Sequence, residues 1–249
     1  MTVDSEKDLE GLKRAGRVVG LALKAMAAQV RPGMTTQALD AIGDQVLRSH
    51  GARSAPQLVY RFPGATCISI NNEAAHGIPG ERVIQAGDLV NLDVSAELEG
   101  YFADAALTVA VPPVDPIRHN LVHCARQALK KAISVVRAGQ PIHVIGKAIE
   151  EQAARCGFTT LMDLGGHGVG RSIHEEPHQV ACFYNPHDKR LLLEGMVLTI
   201  EPFLTTGARS VYTDKQNGWT LKTLDGSLSA QFEHTLVVTK GQPVIITTL

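Results

Sequence analysis

The sequence predicts an α+β protein made of two similar halves, and three observations predict it. Segments of helical period occur as two pairs, one in each half of the chain. Three short stretches of the first half return, in the same order, in the second. After each helix pair come short apolar runs of strand character, one of which alternates like an antiparallel hairpin.

From Leu9 onward, apolar residues recur at Leu12, Val19, Leu23, Met26 and Val30, the spacing of one buried helix face. "RPGMTT" breaks this run, and Thr35 or Thr36 can cap a second helix through Leu39, Ile42 and Val46. The later pair runs through Ile117, Leu121, Ala125, Leu129 and Val136, breaks at "RAGQP", and resumes through Ile142, Ile145 and Ile149 to end near Cys156 and Gly157. At an offset of 106 residues, "VRPGMTTQALDAIGDQVLRSHGA" aligns with "VRAGQPIHVIGKAIEEQAARCGF". "HGIP" at His76 returns as "HEEP" at His174, and "AGDLVNLDV" returns as "EGMVLTIEP", which sets Asp93 against Glu201. The expectation is a single domain over 1–249 with internal halves of about 1–110 and 111–249. A site between such halves receives matching groups from both.

A chain of 249 residues can bury a substantial core. Hydrophobic residues make up 44% and charged residues 20%, and 24 Lys and Arg against 25 Asp and Glu leave a net charge of −1. That balance carries no nucleic-acid footprint and no attraction to an anionic membrane. The lead "MTVDSEKDLEG" is polar and acidic where a secretory signal is basic and then apolar, and no apolar run approaches the ~18 residues of a membrane span. A cytoplasmic location is expected. Cys67, Cys124, Cys156 and Cys182 stand far apart without a C-x-x-C pair, which reads as four buried or inert thiols.

The acids and histidines carry the chemistry. "DLVNLDVSAELEGYFADAALTVAV" reads as a hairpin with its turn inside "ELEG". With Leu98 and Glu99 as the loop, Asp93 faces Asp104 directly, their Cβ atoms about 4.5 to 5.5 Å apart; a turn at Glu99 and Gly100 spoils that pairing. Two carboxylates on one face repel unless cations lie between them. "VLTIEPF" and "SAQFEHTLVV" each set one glutamate, Glu201 or Glu233, inside an apolar run where a bare carboxylate is costly to bury. No Lys or Arg adjoins Asp93, Glu201 or Glu233, so a metal is the simplest counter-charge. With His167 added, the set suits Mn, Fe, Co or Zn better than it suits a structural zinc site. "HEEPH", His174 to His178, matches the H-E-x-x-H zinc-protease helix letter for letter, but Pro177 inside it costs a helix about 3 kcal/mol. That helix is excluded.

On these residues the chain resembles the type I methionine aminopeptidases, over nearly its whole length. The matching stretches are "NLDV" with Asp93, "ADAA" with Asp104, "GGHGVGRSIHEEP" with His167 and His174, "TIEP" with Glu201 and "SAQFEHTLVVT" with Glu233. The resemblance implies the pita-bread fold, an antiparallel sheet flanked by helices in two pseudo-symmetric halves. It implies two divalent ions (Co, Mn, Fe or Zn) held by Asp93, Asp104, His167, Glu201 and Glu233, with Glu201 also shuttling the proton. It places His76 and His174 beside the substrate, and Tyr60, Phe62, Cys67, Ile173 and Trp219 in or near the methionine pocket. The implied substrate is the N-terminal Met of nascent polypeptides, met by a monomer with possible ribosome association.

Three departures stand out: Ile173 where an aromatic residue is usual, Ala75 before His76 where cysteine is common, and "FADAAL" without the usual Gly before and Ser or Thr after Asp104. They touch the pocket and the hydrogen bonds behind the ligands, not the ligands themselves. One rival is a proline-directed aminopeptidase of the same fold, whose usual large N-terminal domain is not matched by the short polar lead here. Another is a non-catalytic binding homologue, which typically has a broken ligand set, whereas all five ligands stand here. His50, His119, His123 and His143 receive no role, His178 and His187 are expected in a surface loop from which His178 can approach the cleft, and His234 should face away from Glu233.

Overall fold

In the computed structural model, which describes residues 1–248, the helix pairs form where the apolar period places them. The first half comprises α1 (Glu6–Ala27), α2 (Thr36–Ser49), β1 (Arg53–Ser54), α3 (Ala55–Tyr60), β2 (Cys67–Ile70), β3 (Glu73–Ala75), β4 (Leu89–Leu98) and β5 (Tyr101–Ala110). Ser5 caps α1 by accepting from the Asp8 N–H, and Thr35 caps α2 by accepting from the Ala38 N–H. The second half opens with α4 (Pro116–Val135) and α5 (His143–Arg155). Ten short strands follow: β6 (Thr159–Thr160), β7 (Gly165–Gly168), β8 (Glu175–Ala181), β9 (Val197–Ile200), β10 (Phe203–Thr205), β11 (Val211–Thr213), β12 (Leu221–Thr223), β13 (Ser229–Gln231), β14 (His234–Val237) and β15 (Val244–Ile245). Among the described residues no helix is long and apolar enough to cross a membrane.

Pairing repeats along with sequence. In the first half β1, β2 and β5 all pair antiparallel with β4. In the second, the broken strand β9–β10 takes the place of β4: β6 pairs β10, β7 pairs β9, and β14 and β13 flank them as β5 flanks β4. Each strand run is interrupted at its glutamate, β9–β10 at Glu201 and Pro202 and β13–β14 at Phe232 and Glu233.

The hairpin turn falls at Glu99 and Gly100, not at Leu98 and Glu99. Both turn residues adopt left-handed backbone, φ 52° and 82°, the geometry of a two-residue hairpin loop that Gly supplies at no steric cost. Asp93 therefore pairs with Ala106 and Asp104 with Ser95. The two aspartates are diagonal neighbours on one face rather than directly opposed, which still leaves their carboxyls within reach of each other.

The halves are laced together where β5 meets β13 and β14. Thr235 Oγ accepts from the Asp104 N–H at 2.9 Å and donates to the Asp104 carbonyl at 2.7 Å. Thr108 Oγ makes the same exchange with Gln231, and the Glu233 N–H donates to the Ala106 carbonyl at 2.9 Å. Both apolar cores cross this seam: the one under α1 and α2 takes in Val197, Val237 and Ile246, and the one under α4 and α5 takes in Ala74, Ala75 and Leu89.

Two cysteines depart from expectation. α4 and α5 pack side by side and bring Cys124 to Cys156 as a disulfide, Cα atoms 6.4 Å apart, although 32 residues separate them in sequence. Cys67 and Cys182 are free and buried, as expected.

Thr235 is fully buried, so Thr235→Val keeps the volume and strands both Asp104 backbone groups. An unfolding titration in urea should show a loss of about 2 kcal/mol; a change below about 0.5 kcal/mol would mean the seam relaxes around the lesion.

Candidate metal centre

Burial of carboxylates on strands is the local fact from which the centre grows. β4 and β5 supply Asp93 and Asp104, the breaks in β9–β10 and β13–β14 supply Glu201 and Glu233, and β7 supplies His167. All five line one cavity of about 640 Å³ with no Lys or Arg among its lining residues. Ligand atoms of Asp104, His167 and Glu233 lie within 4.8 Å of one another. His167 Nε2 stands 3.6 Å from Glu201 Oε1 and 3.9 Å from Asp104 Oδ2.

The ring of His167 is set for ligation. Its Nδ1 lies 3.0 Å from the Gly168 carbonyl and donates there, which leaves the Nε2 lone pair toward the acids. Gly166 before it packs so closely on the Thr199 carbonyl that a Cβ would collide, fixing the strand that carries the ring.

Three polar residues absent from the sequence reading hold the acids. Gln231 donates from Nε2 to Glu201 at 3.3 Å and to Glu233 at 3.2 Å, and its Oε1 accepts from Asn91 at 2.8 Å. Thr199 Oγ donates to Glu201 at 3.2 Å and accepts from the His167 N–H at 3.0 Å. Each sits two residues from a ligand, at 91 and 93, 199 and 201, 231 and 233. Side chains two apart on a strand share a face, and that period was the signal available.

Even so, Asp104 Oδ1 and Glu233 Oε1 are buried without any hydrogen-bond partner among the described residues. Orphaned carboxylate oxygens beside a free imidazole lone pair, with no cationic side chain at hand, fit a divalent cation. Left to one another, the acids resist ionisation. Burial pushes Asp93 up to about 6. Burial, then the charges of Asp93 and Glu201, pushes Asp104 well above the carboxylate range. Burial and the neighbouring acids do the same to Glu201 and Glu233. His167 is pulled down to about 3, mainly by burial.

The remaining residues singled out in the sequence line the same cavity. His174 precedes β8 and stacks on His167 with ring centroids 4.0 Å apart; His76 holds a left-handed backbone at φ 55°. Burial lowers both imidazoles, helped at His76 by His174 and at His174 by His178. Phe62 meets Trp219 edge to face at 5.3 Å, and Cys67 and Ile173 are buried in the wall. Cys67 pairs with Asp93 across β2 and β4, and burial with that charge raises its thiol well above the usual range. Tyr60 ends α3, a helix that the sequence period, too short over six residues, did not reveal. Its phenol is raised by burial and by Asp104.

His174 to His178 is not helical: β8 begins at Glu175, and His178 lies on it, exposed and at the cavity lining rather than in a loop. His234 turns away from the acids and meets Thr247 Oγ at 3.0 Å.

The pattern of metallopeptidase family M24 matches residues 10–240. The chain is 44% identical over 250 residues to "Methionine aminopeptidase 2" of Bacillus subtilis (strain 168), covering all of both chains. It is 40% identical to the methionine aminopeptidase of Aquifex aeolicus (strain VF5), with 98% of each covered. Among solved structures, methionine aminopeptidase from Thermotoga maritima superposes with a TM-score of 0.95 at 33% identity, covering both chains in full. The prolidase of Pyrococcus furiosus shares the fold, with a TM-score of 0.79 at 21% identity over 66% of its length.

The shifts set a pH dependence for chelator-stripped protein. Imidazoles lowered in the fold favour it as pH rises only until they are neutral in the unfolded chain too, near 6.5. Carboxyls raised in the fold hold protons that the unfolded chain has already lost, so they withdraw stability as pH rises. Above 6.5 the raised carboxyls act, joined toward 8.5 by the raised Cys67 and Cys182 thiols in the same direction, and the melting temperature of stripped protein should fall from pH 6.5 to 8.5, while added divalent metal raises it and flattens the slope. A melting temperature that rises over that range without metal would contradict the burial of these acids.

Proposed function

Because the chain belongs to metallopeptidase family M24, we infer that it is a metal-dependent aminopeptidase that removes the N-terminal methionine from polypeptides. The observation that carries this reading is the set of four acids and one imidazole that line one cavity around orphaned carboxylate oxygens, in a chain 44% identical over its full length to a methionine aminopeptidase. Asp93, Asp104, His167, Glu201 and Glu233 would hold two divalent ions from Mn, Fe, Co or Zn, the ligand atoms of Asp104, His167 and Glu233 lying within 4.8 Å of one another. Such ions supply a water acidic enough to lose a proton near neutral pH and polarise the scissile carbonyl.

The protein's own groups do the rest. Glu201, whose carboxyl sits between Thr199 and Gln231, takes the proton from the attacking water and returns it to the leaving amine. His174 donates a hydrogen bond to the carbonyl oxygen as it gains charge, and His76 holds the scissile nitrogen. Phe62, Cys67, Ile173 and Trp219 enclose the methionine side chain in the apolar part of the cavity, with Tyr60 at its lip. Ile173 leaves that pocket without an aromatic face at one side. The buried floor admits only a chain end, which accounts for release of a single residue.

The proline-directed alternative is supported by fold alone, at 21% identity. The non-catalytic alternative conflicts with the ligand set, whose members all reach one cavity. Residues 1–249 act as one catalytic domain, a monomer working in the cytoplasm on nascent chains, with ribosome encounter following from that substrate.

Stripped protein should release methionine from a Met-Ala-Ser peptide only after Mn, Co, Fe or Zn is added, and should leave Leu-Ala-Ser intact. Glu201→Gln should lower kcat by about 100-fold or more. No release with any metal from folded protein would sink the aminopeptidase reading, and cleavage of the leucine peptide would locate the error in the Ile173 wall.

A further inference from the structure

Tyr60 projects from the end of α3 over the cavity, and its phenol oxygen lies 2.6 Å from Nδ1 of His174, with ring centroids 5.7 Å apart. Neither group has another hydrogen-bond partner among the described residues. The His174 ring also lies against that of His167, tilted by 43° with centroids 4.0 Å apart. Nδ1 is thus committed to Tyr60, and Nε2 is left for whatever enters the cavity.

We propose that Tyr60 is a positioning residue that sets the tautomer of His174: the phenol donates to Nδ1, and the one proton of the neutral imidazole is held on Nε2. The inference rests on the role given to His174 above and deepens it, since Tyr60 then acts through His174 and not only as pocket wall. A phenol carries its proton throughout the neutral range and can donate. In an imidazole the bond made at one nitrogen decides what the other offers. The reverse arrangement, with Nδ1–H donating to the phenol, would present a lone pair at Nε2 to the electron-rich carbonyl oxygen and repel it.

The backbone under Tyr60 is built to hold this distance. Ser54 caps α3 by accepting from the Gln57 N–H, and Arg61 closes the helix in left-handed backbone with its N–H on the Gln57 carbonyl. Tyr60 itself is 43% exposed and contributes little to the core, so losing its hydroxyl should not cost the fold.

The test joins a spectrum to kinetics. Protein labelled with 15N-histidine and loaded with zinc is examined by long-range 1H–15N correlation, His174 being identified by the signal missing in His174→Ala. The expected result is a His174 protonated at Nε2 in the parent protein and a mixture of tautomers in Tyr60→Phe. On Met-Ala-Ser, Tyr60→Phe should lose about 10-fold in kcat with KM within about twofold, because the ring that forms the wall is kept. In the His174→Ala background the same substitution should have no further effect. A proton found on Nδ1 in the parent, an unchanged kcat, or additive losses in the double variant would each overturn the proposal. If the parent shows the Nε2 tautomer and Tyr60→Phe loses it, yet no methionine is released, the tautomer assignment stands and the aminopeptidase reading falls.

Discussion

Everything in this molecule answers to one constraint: three buried carboxyls, Asp104, Glu201 and Glu233, and the half-buried Asp93 share one cavity with no Lys or Arg lining it. Removing charged carboxylates from water costs several kcal/mol each even after relaxation. The fold meets that cost with a limited supply of donors, the Gln231 amide and the Thr199 hydroxyl, and among the described residues still leaves two carboxylate oxygens without partners. Where an ordinary core would close over apolar side chains, these strands interrupt themselves at the acids. A cation completes the arithmetic that the polypeptide leaves open, and the ligands that would hold it sit on strands or in the short breaks between strand segments.

The internal repeat explains how such crowding arises. Asp93 on β4 and Glu201 on the β9–β10 run hold corresponding places in the two halves, and His76 and His174 open corresponding stretches of chain. A seam between two copies of one motif brings like groups together automatically. The seam is then fixed by Thr235, Thr108 and Gln231, each bridging from one half to the other. Both cores also borrow from across it, so neither helix pair covers its sheet using its own half alone.

Much of this was legible in the sequence because the relevant signals are local or repeated. Helix periods, the Thr cap of the second helix, the repeat and the acids in apolar runs all survive without knowledge of the fold. The hairpin register was not fixed by pattern, since Glu99 and Gly100 differ from Leu98 and Glu99 by one residue and both loops contain a charged position. Left-handed backbone at Gly100 decided it. The Cys124 and Cys156 disulfide depends on how α4 lies against α5, a tertiary relation that spacing does not encode. Gln231, Thr199 and Asn91 look like ordinary strand polars until the acids two residues away are known to be buried. The α3 turn that offers Tyr60 is too short to show a period.

Cys67 lies in the cavity wall beside Asp93, yet burial and the acids keep its thiol protonated. The groups gathered around the orphaned oxygens are carboxylates and one imidazole. Such a set discriminates poorly among first-row divalent ions, whose affinities then follow their intrinsic order, with zinc well ahead of manganese and ferrous iron. Under the metallopeptidase reading, the occupant is settled by which ions the surroundings keep free and at what concentration. The same polypeptide would be a different holoenzyme in an iron-replete and an iron-starved environment, its metal identity a record of supply rather than a property of the chain.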